Sequence, residues 1–168
     1  LARALVPEPR LVLLDEPFSN LDPNLRIKLR DEIEQILRRV KASALIVTHD
    51  TDDALAIGDR VAVLSGGRVE QIGTPTEIYR SPVNRYVANA FGVANLVREG
   101  EKERWLRPSQ MKVTMEPVVG GVEVKVVAAR DVGKATEVRV DEADGEGWTL
   151  FMDQGLEIEI GQRLWVQW

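Results

Sequence analysis

Two adjacent carboxylates and one imidazole stand where two apolar segments of this chain end. Asp15 and Glu16 follow the apolar residues 11–14, and His49, the only histidine, comes shortly after the apolar residues 44–47. Successive side chains of an extended strand point in different directions, so one carboxylate can face a hydrated metal ion while the other faces a water molecule. Phosphoryl transfer needs both, because charge on the phosphates must be neutralised and the nucleophile oriented. The alternative is a buried strand that ends in solvated acids, with a purely structural histidine.

The elements that would position these groups are two strands with a helix between them. The first apolar run does not alternate with polar residues, which is typical of a strand buried on both faces of a parallel sheet, with its ligand crevice at the carboxyl end. The second, residues 44–47, is a short β-rich run. Asp22 is a good N-cap, and Pro23 suits the first position of a helix over residues 23–41. The apolar stripe of this helix consists of Leu25, Leu29, Ile33, Ile36, Leu37 and Val40. Strand, helix and strand over residues 10–48 would bring both chemical groups to one edge of the sheet.

The rest of the surface of this helix is charged. Its charged residues are Arg26, Lys28, Arg30, Asp31, Glu32, Arg38 and Arg39. An amphipathic helix usually carries its charges opposite the apolar stripe. We therefore expect a solvated face at these positions and not a binding patch.

Three segments, taken in order, resemble a known family. The apolar run with Asp15-Glu16-Pro17, then Ser19-Asn20-Leu21-Asp22, then Thr48-His49-Asp50 are similar to the Walker B strand, D-loop and switch histidine of ABC-type ATPases. The resemblance implies that Asp15 holds Mg²⁺ through water, that Glu16 orients or activates the attacking water and that His49 contacts the γ-phosphate of ATP. It also implies that Ser19, Asn20, Leu21 and Asp22 contact a second subunit across the nucleotide. For Asp22 this role can coexist with helix capping.

The segment Leu64-Ser65-Gly66-Gly67 spells the start of the signature sequence of the same family, yet we interpret it as a hairpin turn. It comes after the Walker B segment, between two β-rich runs, and Arg68 follows it. No Gly-x-x-x-x-Gly-Lys-Ser/Thr occurs in the sequence, so no segment here can cradle the α- and β-phosphates. The chain therefore resembles only the C-terminal part of a longer subunit, and we expect this fragment to have no ATPase activity alone.

Local signals predict further elements around this core. Asp50 or Thr51 can cap a short helix, Thr74-Pro75-Thr76-Glu77 is a capping box, and Ser81-Pro82 is expected to start another helix.

In related ATPases the phosphate-loop strand pairs beside the strand at residues 43–48. Without that neighbour the strand presents an open apolar edge. We expect the edge to be covered by another chain or by a rearranged segment, or to be poorly ordered.

The pattern changes to alternation from Asn95 onward, which predicts a small antiparallel barrel or sandwich. The predicted strands carry Val122/Val124/Val126, Val138/Val140 and Leu156/Ile158/Ile160. Leu106-Arg107-Pro108, Asp131-Val132-Gly133 and Gly161-Gln162-Arg163-Leu164 resemble landmarks of TOBE domains, which are OB-like barrels. We therefore predict an α/β, partial P-loop-type ATPase core at residues 1–93 and a small all-β, OB-like TOBE barrel at 94–168. The four tryptophans of the second part are expected to serve core or interface packing, with a ligand face as the alternative.

Composition narrows the function classes. The 168 residues carry a net charge of −5, contain no cysteine and are 44% hydrophobic. An acidic balance argues against nucleic acid as the main partner, and the absence of cysteine excludes disulfides and thiolate chemistry. The longest apolar runs are far shorter than the roughly 20 residues of a membrane-spanning helix.

Together the resemblances imply the ATP-hydrolysing subunit of a prokaryotic ABC importer, with ferric iron or polyamine as the preferred solute. Its implied cofactor is Mg²⁺ with ATP as substrate. The implied partners are a second copy of the chain and transmembrane permease subunits, with the protein peripheral on the cytoplasmic face of the cell membrane. One alternative is a non-catalytic regulatory, dimerisation or small-ligand-binding TOBE module. Another, a DNA-repair or translation ABC ATPase, is disfavoured by the acidic charge and the terminal β domain.

Overall fold

The computed structural model describes residues 7–19, 21–142 and 147–168. The chain divides into two compact units, one that ends at Ile78 and one that begins at Tyr79. This division comes earlier along the chain than the domain boundary expected from the change of sequence pattern, between residues 93 and 94, which stays a prediction. The sequence also predicts the end of a helix at residues 1–6 and a turn at residues 144–147; apart from Gly147, both lie outside the described residues.

The first unit begins with the predicted strand–helix–strand arrangement. Strand β1 (Leu11–Asp15) pairs in parallel with β2 (Ser43–Val47), and helix α1 (Pro23–Val40) connects them. Asp22 caps the helix, since its Oδ1 accepts from the main-chain N–H groups of Asn24 and Leu25 at 3.1 and 3.0 Å. The predicted cap, the first-turn proline and the parallel crossover are confirmed.

The expectation that β1 is buried on both faces is wrong for this chain. Leu11 and Leu13 of β1 and Leu45 and Val47 of β2 share one face of the sheet and are all more than half exposed. Val12, on the opposite face, is buried. The sheet has only two strands in the described part of the chain, and nothing there covers the first face. Strand β2 is formed, and no described segment pairs with its free edge, so cover by a rearranged segment and poor order of this strand are not found. Covering by another chain stays a prediction.

The remainder of the first unit follows its local signals. Helix α2 (Thr51–Ile57) begins after the N-cap Asp50, and strands β3 (Val61–Ser65) and β4 (Arg68–Gly73) form an antiparallel hairpin. Gly66 and Gly67 take positive φ angles in its turn, so the interpretation of this segment as a hairpin is confirmed. Helix α3 (Pro75–Arg80) starts with the predicted capping box, in which the Thr74 main-chain N–H donates to Glu77 Oε2 at 2.8 Å.

The second unit is mainly antiparallel sheet. A hairpin of β5 (Asn95–Glu99) and β6 (Lys102–Leu106) forms its own two-stranded sheet and packs against a five-stranded sheet of order β10-β9-β8-β11-β7. The strands of this sheet are β7 (Lys112–Thr114), β8 (Val122–Asp131), β9 (Thr136–Glu142), β10 (Trp148–Met152) and β11 (Arg163–Gln167). An α/β part followed by an antiparallel β part is confirmed. The P-loop-type core and the OB-like closure of the barrel stay predictions, because in the described residues β7 and β10 are edge strands of an open sheet.

Two local predictions in this unit are wrong. Helix α4 (Arg85–Ala90) starts after Asn84 and not at Ser81-Pro82, because the Asn84 side chain accepts from the Val87 N–H at 2.9 Å and caps the helix there. No strand forms over residues 156–160, where Ile160 is largely exposed. The chain joins the sheet only at the following turn, where the Gly161 N–H donates to the Val126 carbonyl at 2.8 Å.

One hydrophobic core holds the second unit together. It consists of Val97, Leu106, Met111, Val124, Val126, Val138, Val140, Trp148, Leu150, Leu164 and Val166. The indole N–H of Trp148 donates to the Leu96 carbonyl at 2.9 Å, so this large side chain is buried with its polar atom satisfied. Among the described residues, no helix is both long and apolar enough to cross a membrane.

Candidate functional site

The candidate site starts at Glu16, the residue that follows strand β1. Glu16 takes a positive φ of 47°, which is uncommon for a residue with a side chain. Its main-chain N–H still donates to the Val47 carbonyl at 2.8 Å, and its carbonyl accepts from the Ser19 hydroxyl at 3.1 Å. The turn before Pro17 is therefore held to the neighbouring strand and to the following loop.

The Glu16 carboxylate contacts His49, although 33 positions separate them along the chain. Glu16 Oε1 accepts from the His49 main-chain N–H at 2.9 Å and lies 2.8 Å from the imidazole Nδ1. The contact exists because both residues follow the carboxyl ends of adjacent parallel strands. Parallel pairing thus brings together the two groups that the sequence singled out.

The contact with Glu16 affects the protonation of His49. The pKa of His49 is raised, first because the Glu16 carboxylate accepts a hydrogen bond from its ring and second through the negative charge of that carboxylate. The imidazole is exposed, whereas the Glu16 side chain is about one-third exposed, 33%. The pair can therefore hold a proton at Nδ1 and keep the carboxylate in one orientation while the ring faces the solvent.

Asp15 is the last residue of β1 and stands opposite Val47 in the register, on the exposed face of the sheet. In the part of the chain that the structure describes, no three His, Asp or Glu side chains are grouped as they would be around a metal ion. One exposed carboxylate fits a hydrated Mg²⁺, which keeps several waters and takes other ligands from phosphates. It does not fit a metal held by protein ligands alone.

The four residues of the predicted subunit contact are partly accounted for. Ser19 and Leu21 form the loop between Glu16 and helix α1, and the Leu21 N–H donates to the Phe18 carbonyl at 3.4 Å. Asp22 caps α1. Asn20 lies outside the described residues. Their contact with a second subunit stays a prediction.

Two arginines of α1 were assigned to a solvated face, and that prediction is wrong for them. Arg26 pairs with Asp50, and Arg30 Nη1 lies 3.4 Å from Asp53 Oδ1. Asp53 is 1% exposed, so this charge is buried next to the candidate site. The available signal was the four-residue spacing of the two arginines, which places them on one side of the helix.

Comparisons with known proteins agree with the motif assignment. No protein-family model matches the chain. A sulfate/thiosulfate import ATP-binding protein of Chromobacterium violaceum is 44% identical over 90% of the chain and 36% of its own length. A spermidine/putrescine import ATP-binding protein of Pseudomonas aeruginosa is 44% identical over 83% of the chain and 36% of its own length.

A spermidine/putrescine import ATP-binding protein of Bacillus thuringiensis is 34% identical over the whole chain, which covers 53% of that protein. The chain thus spans between about a third and about a half of these curated relatives. Their names share an ATP-binding role in import, while their solutes differ. The chain is homologous to a part of the ATP-binding subunits of ABC importers.

Proposed function

We propose that this chain is the C-terminal part of the ATP-hydrolysing subunit of an ABC importer, with Glu16 and His49 as its catalytic residues. The observation that carries the proposal is the contact of Glu16 Oε1 with both the main-chain N–H and the Nδ1 of His49. A carboxylate and an imidazole at the carboxyl edge of a parallel strand pair are suited to orient water and to contact a phosphate.

In the proposed reaction, water attacks the γ-phosphorus of ATP while the bond to the β–γ bridging oxygen breaks. Glu16 orients the attacking water and takes its proton, so that ADP and inorganic phosphate are formed. His49, anchored to Glu16, presents its exposed ring to the γ-phosphate. Asp15 would hold Mg²⁺ through water, and the metal would supply positive charge to the phosphates.

The rest of the assembly is part of the same proposal. Ser19, Asn20, Leu21 and Asp22 contact a second copy of the subunit across the nucleotide, and separate transmembrane permease subunits bind it at the cytoplasmic face of the membrane. Ferric iron or a polyamine is the proposed solute class. The 168-residue chain is a fragment without ATPase activity of its own, because the phosphate-binding loop is supplied by the other part of the subunit.

A chimera tests the catalytic assignment. Residues 7–168 replace the matched segment of a polyamine-importer ATP-binding subunit, and ATP hydrolysis is measured with the wild-type segment, Glu16→Gln, His49→Ala and the control Glu32→Gln on the exposed surface of α1. We expect the first two substitutions to lower kcat by at least about 100-fold, the size expected for loss of a positioned acid–base group, and the control to leave it unchanged. A folded chimera with full activity after Glu16→Gln would refute the proposal.

A second candidate function is favoured by the separate hydrophobic core of the second unit. Residues from Tyr79 onward have their own hydrophobic core, so this part can act as a regulatory, dimerisation or ligand-binding module. Trp148 and Trp168 lie edge to face with ring centroids 5.5 Å apart, which provides a fluorescence probe. Titration with molybdate, ferric citrate or spermidine would change this fluorescence if the module binds such ligands, and sedimentation would detect dimerisation alone.

A further inference from the structure

Two arginines on one side of helix α1 reach the segment that follows His49. Arg26 Nη1 donates to Asp50 Oδ2, and Arg30 Nη1 donates to the Asp52 carbonyl at 2.9 Å. Arg30 Nη1 also lies 3.4 Å from Asp53 Oδ1. The two arginines are four residues apart, so one face of the helix presents two cations to the start of helix α2.

The segment that they contact is already tightly bonded. Asp50 Oδ1 accepts from the N–H groups of Asp52 and Asp53 at 2.9 and 3.3 Å, and the Asp50 N–H donates to the Thr48 hydroxyl at 3.0 Å. Asp50 therefore joins the arginine to the helix start through one carboxylate. His49 is its direct neighbour in the chain, so a displacement of Asp50 displaces the main chain of His49.

The side chains of these ion pairs are partly or almost fully buried. The side chains of Arg26 and Asp50 are 24% and 27% exposed, and those of Arg30 and Asp53 are 13% and 2% exposed. A charge that is removed from water, as at Asp53, is costly unless it is paired. Burial raises the pKa of Asp53. Burial also acts to raise the pKa of Asp50, but hydrogen bonds from Asp53 and Asp52 and the charge of Arg26 together lower it.

We infer that Arg26, supported by Arg30, is a positioning residue that fixes Asp50 and thereby holds His49 against Glu16. The inference rests on the proposed function of Glu16 and His49 and adds the part of the fold that aligns them. It connects helix α1, which Asp22 caps at the predicted subunit contact, to the loop that carries the histidine. Movement of α1 would then change the contact between the two catalytic residues.

The pKa of His49 distinguishes positioning from a simple charge effect. Glu16 and Asp50 raise this pKa, and the positive charge of Arg26 lowers it directly. Removal of Arg26 as a mere nearby charge would therefore raise the pKa of His49. If Arg26 instead holds His49 against Glu16, its removal loosens that contact and lowers the pKa, so the two explanations predict opposite signs.

NMR of the 168-residue chain can measure this sign, because His49 is the only histidine and its ring signal needs no further assignment. We compare the wild-type chain with Arg26→Met, Arg26→Lys, Glu16→Gln and the control Lys28→Met, which removes an exposed cation of the same helix. Glu16→Gln is expected to bring the pKa of His49 to the ordinary value of about 6.5. Arg26→Met is expected to give at least half of that decrease, Arg26→Lys a smaller one, and Lys28→Met none.

Each outcome supports or overturns a separate step. A raised or unchanged pKa of His49 in Arg26→Met, while Glu16→Gln lowers it, overturns the positioning role and leaves the Glu16–His49 contact intact. No change in Glu16→Gln overturns the contact itself, whatever the chimera shows about ATP hydrolysis. Should circular dichroism show that Arg26→Met is unfolded, the neutral but polar Arg26→Gln is measured instead, with the same expected direction.

Discussion

The two units of the chain differ in how they bury their apolar side chains. In the second unit, eleven hydrophobic side chains form one core, and several of them, such as Val138 and Leu150, are 0% exposed. In the first unit, Leu13 and Leu45 are 68% and 57% exposed on one face of the parallel sheet. The unit with the candidate catalytic residues is therefore the one with the less complete core.

This difference separates two sources of stability. The second unit has one continuous hydrophobic core, whereas the first combines fewer buried apolar side chains with helix caps and ion pairs such as those of Asp22, Asp50 and Arg26. A contiguous exposed apolar surface usually marks a site of interaction with further protein. Covering of the Leu11, Leu13, Leu45 and Val47 face by another chain remains our expectation.

The largest expected effect is in the core of the second unit. Trp148→Ala should lower the free energy of unfolding by about 3–5 kcal/mol, because it leaves a large cavity and removes the indole donor to the Leu96 carbonyl. Leu13→Ala, on the exposed face of the first unit, should change it by less than about 0.5 kcal/mol. Urea titrations followed by circular dichroism would measure both. Equal losses would mean that the face of Leu13 is covered in solution.

Arg107 should give the next largest effect. The residue is 1% exposed, and its Cζ lies 4.5 Å from the centre of the Tyr79 ring. Its guanidinium donates to the carbonyls of Tyr79, Ala88, Gly92 and Val93. Arg107→Met should cost about 3 kcal/mol, because buried carbonyls lose a charged donor. Lysine should rescue poorly, since it lacks the planar set of donors.

The matched control for Arg107 is Arg98→Met. Arg98 forms an exposed ion pair with Glu103 at 3.1 Å, and such pairs contribute less than about 1 kcal/mol. The urea midpoint should therefore fall much further in Arg107→Met than in Arg98→Met. A loss in Arg107→Met no larger than that in Arg98→Met would show that the carbonyl contacts do not stabilise the second unit.

Removal of a helix N-cap should have a smaller effect on stability, and this effect can be measured in both units. Asp22→Ala should cost about 1 kcal/mol by removing the acceptor for the Asn24 and Leu25 N–H groups, and Asn84→Ala should cost a similar amount in α4. Asp22→Asn, which keeps a capping oxygen, is the control. Hydrogen exchange at the first turn of each helix would show whether local capping acts alike in the two units.

The smallest expected effect is the pH dependence of the first unit. Glu16 raises the pKa of His49 in the folded state, so the contact contributes stability that is fully present below the unfolded pKa, about 6.5, and is lost as pH rises through the folded pKa. Hydrogen exchange of β1 and β2 at pH 5.5 and 8.5 should show this loss in the wild-type chain. The pH-dependent difference should be smaller in Glu16→Gln, and an identical difference would exclude the contact in solution.

Much of the local structure could be predicted because short-range chemistry decides it. Asp22 with Pro23, Thr74 with Glu77, and Gly66 with Gly67 each satisfy or permit main-chain geometry within a few residues, and the helix, capping box and hairpin formed where expected. The failures also have local causes. Asn84, and not Ser81, caps helix α4. The alternating residues 156–160 lie between two glycine turns and form no strand.

The types and spacing of the candidate groups could be read from the amino-acid sequence. So could the parallel crossover that brings Glu16 and His49 to one edge, because a strand–helix–strand unit has few arrangements. Three features could be seen only in the folded chain: Glu16 Oε1 contacts the main-chain N–H and the Nδ1 of His49, Arg26 and Arg30 pair with Asp50 and Asp53, and Leu13 is exposed. Those outcomes depend on which distant surfaces come together and on how many strands flank the pair. Charge pairing and burial are set by three-dimensional neighbours, which periodicity along one chain does not specify.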